Sequence, residues 1–231
     1  MRNRTDDQVT FVFIRHGATK ANEEHRYLGR TDEGLSAKGI RELLLYKRQC
    51  VYPQVGCLFV SPMKRCLETA QILYPNLSPV VIPEWEETDF GQFEYKNYKE
   101  LQDDPAYQAW IDSGGMLPFP GGESREEFFV RCEGGFVKMC EELRRKESAV
   151  EGMAVAEGIH AAVGIIVHGG TIMAVLSRYC GNDYYDYQVR NGSGYVGRMI
   201  GWGNEAQIVN LQKLEPRRVI AQADLQDEER V

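Results

Sequence analysis

The sequence predicts an α/β protein of three layers, α/β/α, built on a mostly parallel central sheet. Three observations carry that expectation. The short runs at 9–14, 56–60, 80–82 and 163–167 are rich in β-branched and aromatic residues. Apart from Thr10 they are apolar rather than alternating, as strands buried on both faces are. Segments with helical spacing separate these runs, which is the pattern of βα units feeding a parallel sheet. Finally, two of the runs stop at a histidine followed by glycine: Arg15-His16-Gly17 and His168-Gly169-Gly170. Parallel strands share one carboxyl rim, where open α/β sheets bind ligands.

At 231 residues the chain is long enough for one substantial core. Hydrophobic residues make up 43% and charged residues 26%, an ordinary globular balance. The formal net charge of -7 argues against nucleic acid or an anionic membrane surface as a partner. The longest apolar run, 161–176, is broken by His168-Gly169-Gly170 and is too short to span a bilayer. Residues 1–8 are polar and charged and hold no signal-peptide apolar region. Six cysteines (Cys50, Cys57, Cys66, Cys132, Cys140, Cys180) are scattered without a C-x-x-C pair. They are expected as reduced thiols that mostly fill the core, and the compartment as cytoplasmic.

Along the chain, 21–30 reads as a loop or short helix over the strand end. Ser36 is an N-cap for a helix over 36–49 with Ile40, Leu43 and Leu44 on one side. The strand at 56–60 leads through Ser61-Pro62 into a helix over 62–74, with Pro62 suited to its first position. That helix carries Lys64 and Arg65 in its first turn, the unfavourable end for cations on dipole grounds. They fit either a bound anion or a solvated pair. After 80–82 comes an acidic and aromatic cluster, Glu84-Trp85-Glu86-Glu87-Thr88-Asp89-Phe90-Gly91. One or two short helices are expected over 95–112 and a Gly/Pro loop over 113–122. A capping box at Ser124–Glu127 opens a long helix to about 147. A helix over 171–180 follows the strand at 163–167, and strands at 195–200 and 206–211 close the sheet. The expected organisation is one domain over 1–231: a core at 9–214, a helical insertion over the site at 88–160, and a charged tail at 215–231.

Two motifs are weaker than they look. Gly192-Ser193-Gly194-Tyr195-Val196-Gly197 satisfies G-x-G-x-x-G but leads into a strand, so it reads as a turn and not a nucleotide loop. His25 and His160 lack any surrounding motif and are expected to face solvent, while Trp85 and Phe90 are expected to pack.

The residues also carry a family resemblance. Arg15-His16-Gly17-Ala18-Thr19-Lys20-Ala21-Asn22 resembles the signature of the histidine phosphatase superfamily, also called phosphoglycerate mutase-like. The segments Gly29-Arg30-Thr31-Asp32-Glu33-Gly34-Leu35-Ser36, Ser61-Pro62-Met63-Lys64-Arg65-Cys66, Glu87-Thr88-Asp89-Phe90-Gly91, Pro120-Gly121-Gly122-Glu123-Ser124 and His168-Gly169-Gly170 follow in family order. There are departures: Tyr95 stands where the family often has Gly, Phe93 replaces a Trp, and Ala18 takes a position that is frequently Glu. Thr19, Ala21 and Arg30-Thr31-Asp32 are more similar to the phosphatase branch, including α-ribazole phosphatase and broad-specificity phosphatases, than to the mutases.

The resemblance implies a phosphoglycerate mutase-like fold and a phosphomonoester hydrolase acting on a small phosphorylated metabolite, without metal or cofactor. It assigns His16 as the nucleophile of a phosphohistidine intermediate and Arg15, Arg65 and His168 as phosphate ligands. Glu87 becomes the proton donor, with Glu86 and Glu84 as competitors. Residue chemistry agrees: arginine forks match phosphate oxygens, neutral imidazole offers a lone pair near pH 7, and His168 as imidazolium could donate. Asn22, Thr19, Gly17, Arg30 and Gly169 are the expected phosphate or substrate contacts. A small phosphate ester is the expected partner. A mutase-type phosphoryl transfer and a non-catalytic phospho-ligand binding protein are the alternatives.

Overall fold

The computed structural model describes residues 8–49, 51–150 and 162–216. Its six strands are β1 (Gln8–Arg15), β2 (Val55–Val60), β3 (Val80–Val81), β4 (Ala162–Val167), β5 (Gly194–Ile200) and β6 (Gln207–Leu214). The helices are α1 (Lys20–Glu23), α2 (Ala37–Arg48), α3 (Lys64–Leu73), α4 (Tyr98–Leu101), α5 (Pro105–Asp112), α6 (Arg125–Val150) and α7 (Gly169–Cys180). One sheet runs β3-β2-β4-β1-β5-β6. The pairs β3–β2, β2–β4 and β4–β1 are parallel, whereas β5 lies antiparallel to both β1 and β6. The expected mostly parallel α/β fold is what forms.

Period-two alternation splits each buried strand between two cores. Phe11, Phe13, Phe59, Val163, Ile165 and Val167 join one core with residues of α6 and α7. Val12, Ile14, Leu58, Val60 and Ile166 join the other with Leu43 of α2 and Cys66, Ala70 and Leu73 of α3. Each such fully buried side chain contributes about 2 kcal/mol of transfer free energy. The sheet is apolar on both faces because helices cover both.

The described part of the segment expected as one insertion over 88–160, residues 88–150, falls into two parts. A small aromatic cluster of Phe93, Leu101 and Tyr107, with Tyr27, Phe90, Trp110 and Phe119 against it, forms one part. The long α6 instead belongs to the main core through Phe128, Cys132, Phe136, Met139, Cys140 and Leu143. An apolar stripe of that length needs a large partner surface, and the sheet supplies it.

Local signals held at most helix starts. The Ser36 hydroxyl accepts from Gly39 N, and Ser124 and Glu127 make the reciprocal bonds of a capping box. Pro62 is an exception, since α3 begins at Lys64 with Met63 as its cap. The Ser61 hydroxyl takes the Met63 N–H at 3.3 Å, and Ser61 N donates to Ile166, holding Pro62 in the connection and not in the helix. The turn at Gly192 leads straight into β5, so no nucleotide loop forms there. Trp85 is fully buried and His25 is exposed. Cys66, Cys132, Cys140 and Cys180 are free thiols, the first three of them buried. Cys50, His160 and the tail from 217 lie outside the described residues. Among the described residues no helix is long and apolar enough to cross a membrane.

Candidate active site

The site forms where β1 and β4 end side by side. Arg15 stands opposite Val167, and His16 N donates to the Val167 carbonyl at 3.0 Å. Both strands then turn outward, so His16 and His168 arrive on the same rim, as the strand directions required.

His16 is only 2% exposed. Its Nδ1–H donates to the Gly17 carbonyl at 2.7 Å, which leaves the lone pair on Nε2. Burial, then the Arg65 and Arg15 charges, holds the ring well below its usual pKa, so it is neutral near pH 7. Gly17 turns tightly under α2: a Cβ there would lie 2.5 Å from Leu43 Cδ1. Gly17 N donates to the Thr69 hydroxyl, which donates onward to the Arg65 carbonyl.

His168 is fully buried and caps the N-terminus of α7. Its Nδ1 accepts from Arg65 Nε at 3.3 Å, so Nε2–H donates to Ser61 Oγ at 2.7 Å. Burial and Arg65 push its pKa well below normal. The expected imidazolium is therefore corrected to a neutral ring, because a second cation beside Arg65 in a dry site is too costly. Cys66, packed 3.7 Å from His168 Nε2, is inert as a nucleophile, since burial lifts its thiol to about 12.

The Lys64-Arg65 pair separates. Lys64 faces solvent and pairs loosely with Glu68, whereas Arg65 is fully buried. Arg65 Nη1 donates to the Thr31 carbonyl and Nη2 to the Gly29 carbonyl, which anchors the loop ahead of α2. Three of its five N–H groups are used this way and two remain. Arg15 donates from Nη1 to the Val189 carbonyl at 2.8 Å. Its Nε is buried and without a hydrogen-bond partner among the described residues.

Thr19 is fully buried, and its hydroxyl accepts from Asn22 N as the cap of α1. The Asn22 amide oxygen accepts from Thr19 N and from Asn191 Nδ2, so its own NH₂ group remains a donor. Gly169 opens α7 beside Arg15, where a Cβ would lie 3.4 Å from the guanidinium carbon. Arg30 is half exposed at the rim, 3.0 Å from Asp89 and 3.8 Å from Glu86.

The three competing carboxylates part company here. Glu84 pairs with Lys138 and Glu86 with Arg30, while Glu87 Oε2 lies 3.9 Å from His168 Nδ1. Glu87 Oε1 accepts from Thr88 N at 3.0 Å. A Cβ at Gly170 would come within 2.7 Å of that oxygen, so glycine is what lets α7 approach the acid. Burial raises the Glu87 pKa, against the opposing pull of the Thr88 N–H, Arg65, Arg15 and Arg131.

The sequence reading did not single out Ser61, Thr69, Asn191 or Arg131 as site residues. Among the described residues no cluster of His, Cys, Asp and Glu has the makings of a metal centre.

The model of the histidine phosphatase superfamily (branch 1) matches residues 11–211. The chain belongs to that family. A bifunctional protein of Mycobacterium tuberculosis is 31% identical to this histidine phosphatase chain over 133 residues, covering 54% of the chain and 35% of the relative. An adenosylcobalamin/alpha-ribazole phosphatase of Escherichia coli is 27% identical over 132 residues, covering 55% and 65%. The match thus spans less than two thirds of either relative's length. In structure, phosphoserine phosphatase of Entamoeba histolytica in complex with 3-phosphoglyceric acid superposes with a TM-score of 0.67 at 19% identity. That likeness covers 88% of this chain and 96% of the other, and it establishes the phosphoglycerate mutase-like fold.

Proposed function

We propose that this histidine phosphatase hydrolyses a small phosphomonoester through a phosphohistidine formed on His16. One observation carries the reading. The Nδ1–H bond of His16 to its own neighbour's carbonyl leaves the lone pair on Nε2, and burial with the Arg65 and Arg15 charges keeps the ring neutral, as a nucleophile must be.

Nε2 attacks phosphorus, the N–P bond forms, and the ester P–O bond breaks in line. Arg15, through its unpartnered Nε, and the first amides of α7, which have no acceptors within the helix, hold the phosphoryl oxygens. Asn22 donates its NH₂ group and Arg65 its two remaining N–H groups. Glu87, kept protonated more readily by burial, delivers its proton to the leaving alkoxide. It then takes a proton from the water that cleaves the N–P bond. Arginines and helix amides supply the positive field, so the step needs no metal ion.

Gly17, Thr19 and Gly169 act by shaping the loops around the phosphate. Arg30 sits where the organic part of the ester leaves the rim. A cleft of about 340 Å³ there is lined by Arg30, Asp89, Gly122, Glu123, Glu127 and Arg131, chemistry suited to a polar leaving group. One catalytic domain and a cytoplasmic setting complete the proposal, supported by the shared sheet and the free thiols.

The test is to quench turnover of p-nitrophenyl phosphate and map the covalent phosphate. An acid-labile, base-stable label on the peptide holding His16 is the expected result. Steady turnover with the label elsewhere, or with none, would overturn the assignment.

A further inference from the structure

Arg131, on the second turn of α6, holds a place the catalytic roles above do not use. Its Nη1 donates to the Glu84 carbonyl at 2.8 Å and to the Glu86 carbonyl at 2.7 Å. Its Nη2 lies 3.4 Å from the Glu87 carbonyl and 2.6 Å from Glu123 Oε1. Glu123 Oε1 also accepts from Asp89 N at 2.8 Å, and Glu123 N donates to the Asp89 carbonyl. One guanidinium and one carboxylate thus grip the backbone on both sides of Glu87. Both are largely sheltered, with side chains 20% and 10% exposed. A single ammonium could not span these acceptors, whereas a planar fork can.

The same turn of α6 backs the acid. The Arg131 guanidinium lies over the Phe128 ring, 5.2 Å from its centroid. A Cβ on Gly170 would meet both that ring, at 3.0 Å, and Glu87 Oε1, at 2.7 Å. Trp85 also fastens this segment to α6, through Nε1–H to the Cys132 carbonyl. Trp85 brings no charge, whereas Arg131 both anchors the segment and pulls on the Glu87 carboxyl.

We propose that Arg131, clasped by Glu123, is a positioning residue that sets the place and proton affinity of the Glu87 carboxyl for leaving-group protonation. The inference rests on Glu87 being the acid. The groups facing Glu87 are Arg15 from β1, Arg65 and Cys66 from α3, Arg131 and Cys132 from α6, His168 at the start of α7, and Tyr184 beyond it. Of these, Arg65, Arg15 and Arg131 pull the carboxyl towards its charged form. Removing Arg131 withdraws one of those pulls while freeing the backbone that carries the acid.

The experiment compares p-nitrophenyl phosphate, whose phenolate leaves unaided, with glycerol phosphate, whose alkoxide needs a proton. Arg131→Gln is expected to lower kcat/KM, which reports the steps up to departure of the leaving group, about 10-fold more on glycerol phosphate than on p-nitrophenyl phosphate. The alkaline limb of its kcat/KM profile on glycerol phosphate should move up by about half a unit or more. Arg131→Lys keeps the charge but not the span, so it should show the selective loss of kcat/KM with the limb in place. Glu123→Gln, which leaves the arginine intact, should reproduce the loss in weaker form and covers the case of an Arg131→Gln protein that does not fold.

In a Glu87→Gln background, Arg131→Gln should no longer change the ratio between the two substrates. Equal losses of kcat/KM on both substrates, with the alkaline limb unmoved, would make Arg131 a purely structural residue and overturn the clasp. If Glu87→Gln alone shows no preference between leaving groups in kcat/KM, the acid assignment fails and the clasp falls with it. Selectivity in Glu87→Gln without any in the Arg131 and Glu123 variants would overturn the clasp alone.

Discussion

His16 and His168 meet edge to face on the sheet rim, ring centroids 5.2 Å apart at an interplanar angle of 67°. One follows β1 and the other follows β4, so the contact is a direct product of parallel pairing between those strands. With Arg65 bonded to His168 and Arg15 alongside, both rings are driven neutral, and only His16 has its donor tied to a backbone carbonyl. His16→Ala is therefore expected to cut turnover of p-nitrophenyl phosphate on the order of 10³-fold or more. The ring is buried although it sits on a rim, so a stability loss of about 1–3 kcal/mol should accompany the change. A cooperative melt with substantial remaining activity would remove His16 from the nucleophile role.

The same two rings tie stability to pH. Both have folded pKa values below the usual 6.5 because burial disfavours the imidazolium. As pH falls through 6.5 the unfolded chain takes up these protons while the folded chain does not. Stability is thus present above 6.5 and lost below it, by up to about 1.4 kcal/mol per pH unit for each ring. Glu87 acts in the opposite sense. Its raised folded pKa gives stability that is full below 4.5 and lost as pH rises through the folded value. Melting curves between pH 7 and 5 should therefore fall more shallowly for His16→Ala than for the unaltered protein. For Glu87→Gln they should fall more steeply. Parallel curves for all three would show that these burial shifts do not govern the acid limb.

How much of this was legible in the sequence depended on how local each signal was. Residues 9–14 and 163–167 reveal themselves because a doubly buried strand is apolar at every position. The rim histidines follow from strand direction, and Ser36 and Ser124 from capping chemistry written within four residues. Ser61, Asn191 and Arg131 carry no such mark. Ser61 finds His168 across 107 positions and Asn191 finds His16 across 175, so only the folded sheet brings them together. The neutral state of His168 was equally invisible, since it depends on burial beside Arg65. The division of 88–160 was missed because α6 carries its apolar stripe for a sheet face that the sequence alone does not locate.

Tyr95 offers a test of backbone strain. It stands where the family often has glycine, and its φ is +61°, in the left-handed region. Its hydroxyl donates to Glu33 at 3.1 Å and Arg26 lies over its ring, contacts that hold the residue in place. Tyr95→Ala and Tyr95→Gly lose those contacts equally but differ in tolerance of the positive φ. The glycine variant should be the more stable of the two by about 1 kcal/mol, read from paired denaturant melts. An alanine variant as stable as the glycine variant would show that the left-handed backbone carries no strain here.

The final prediction concerns what accepts the phosphoryl group from His16. A mutase must keep water from a phosphohistidine until its substrate has turned round to present a second hydroxyl. The side chains at the mouth of this site are instead open to solvent. Arg30 is 50% exposed and is held to one side by Asp89, while Glu86 is 43% exposed. Glu87 sits behind them, 3.9 Å from His168, placed to draw a proton from an entering water once the first alcohol has left. Thr19 is fully buried, with its hydroxyl engaged in capping α1. Water is therefore the expected acceptor. Incubation with 3-phosphoglycerate and a trace of 2,3-bisphosphoglycerate should release inorganic phosphate without net 2-phosphoglycerate. Rapid conversion to 2-phosphoglycerate with little free phosphate would make the enzyme a mutase, and the exposed mouth would then have to close during turnover.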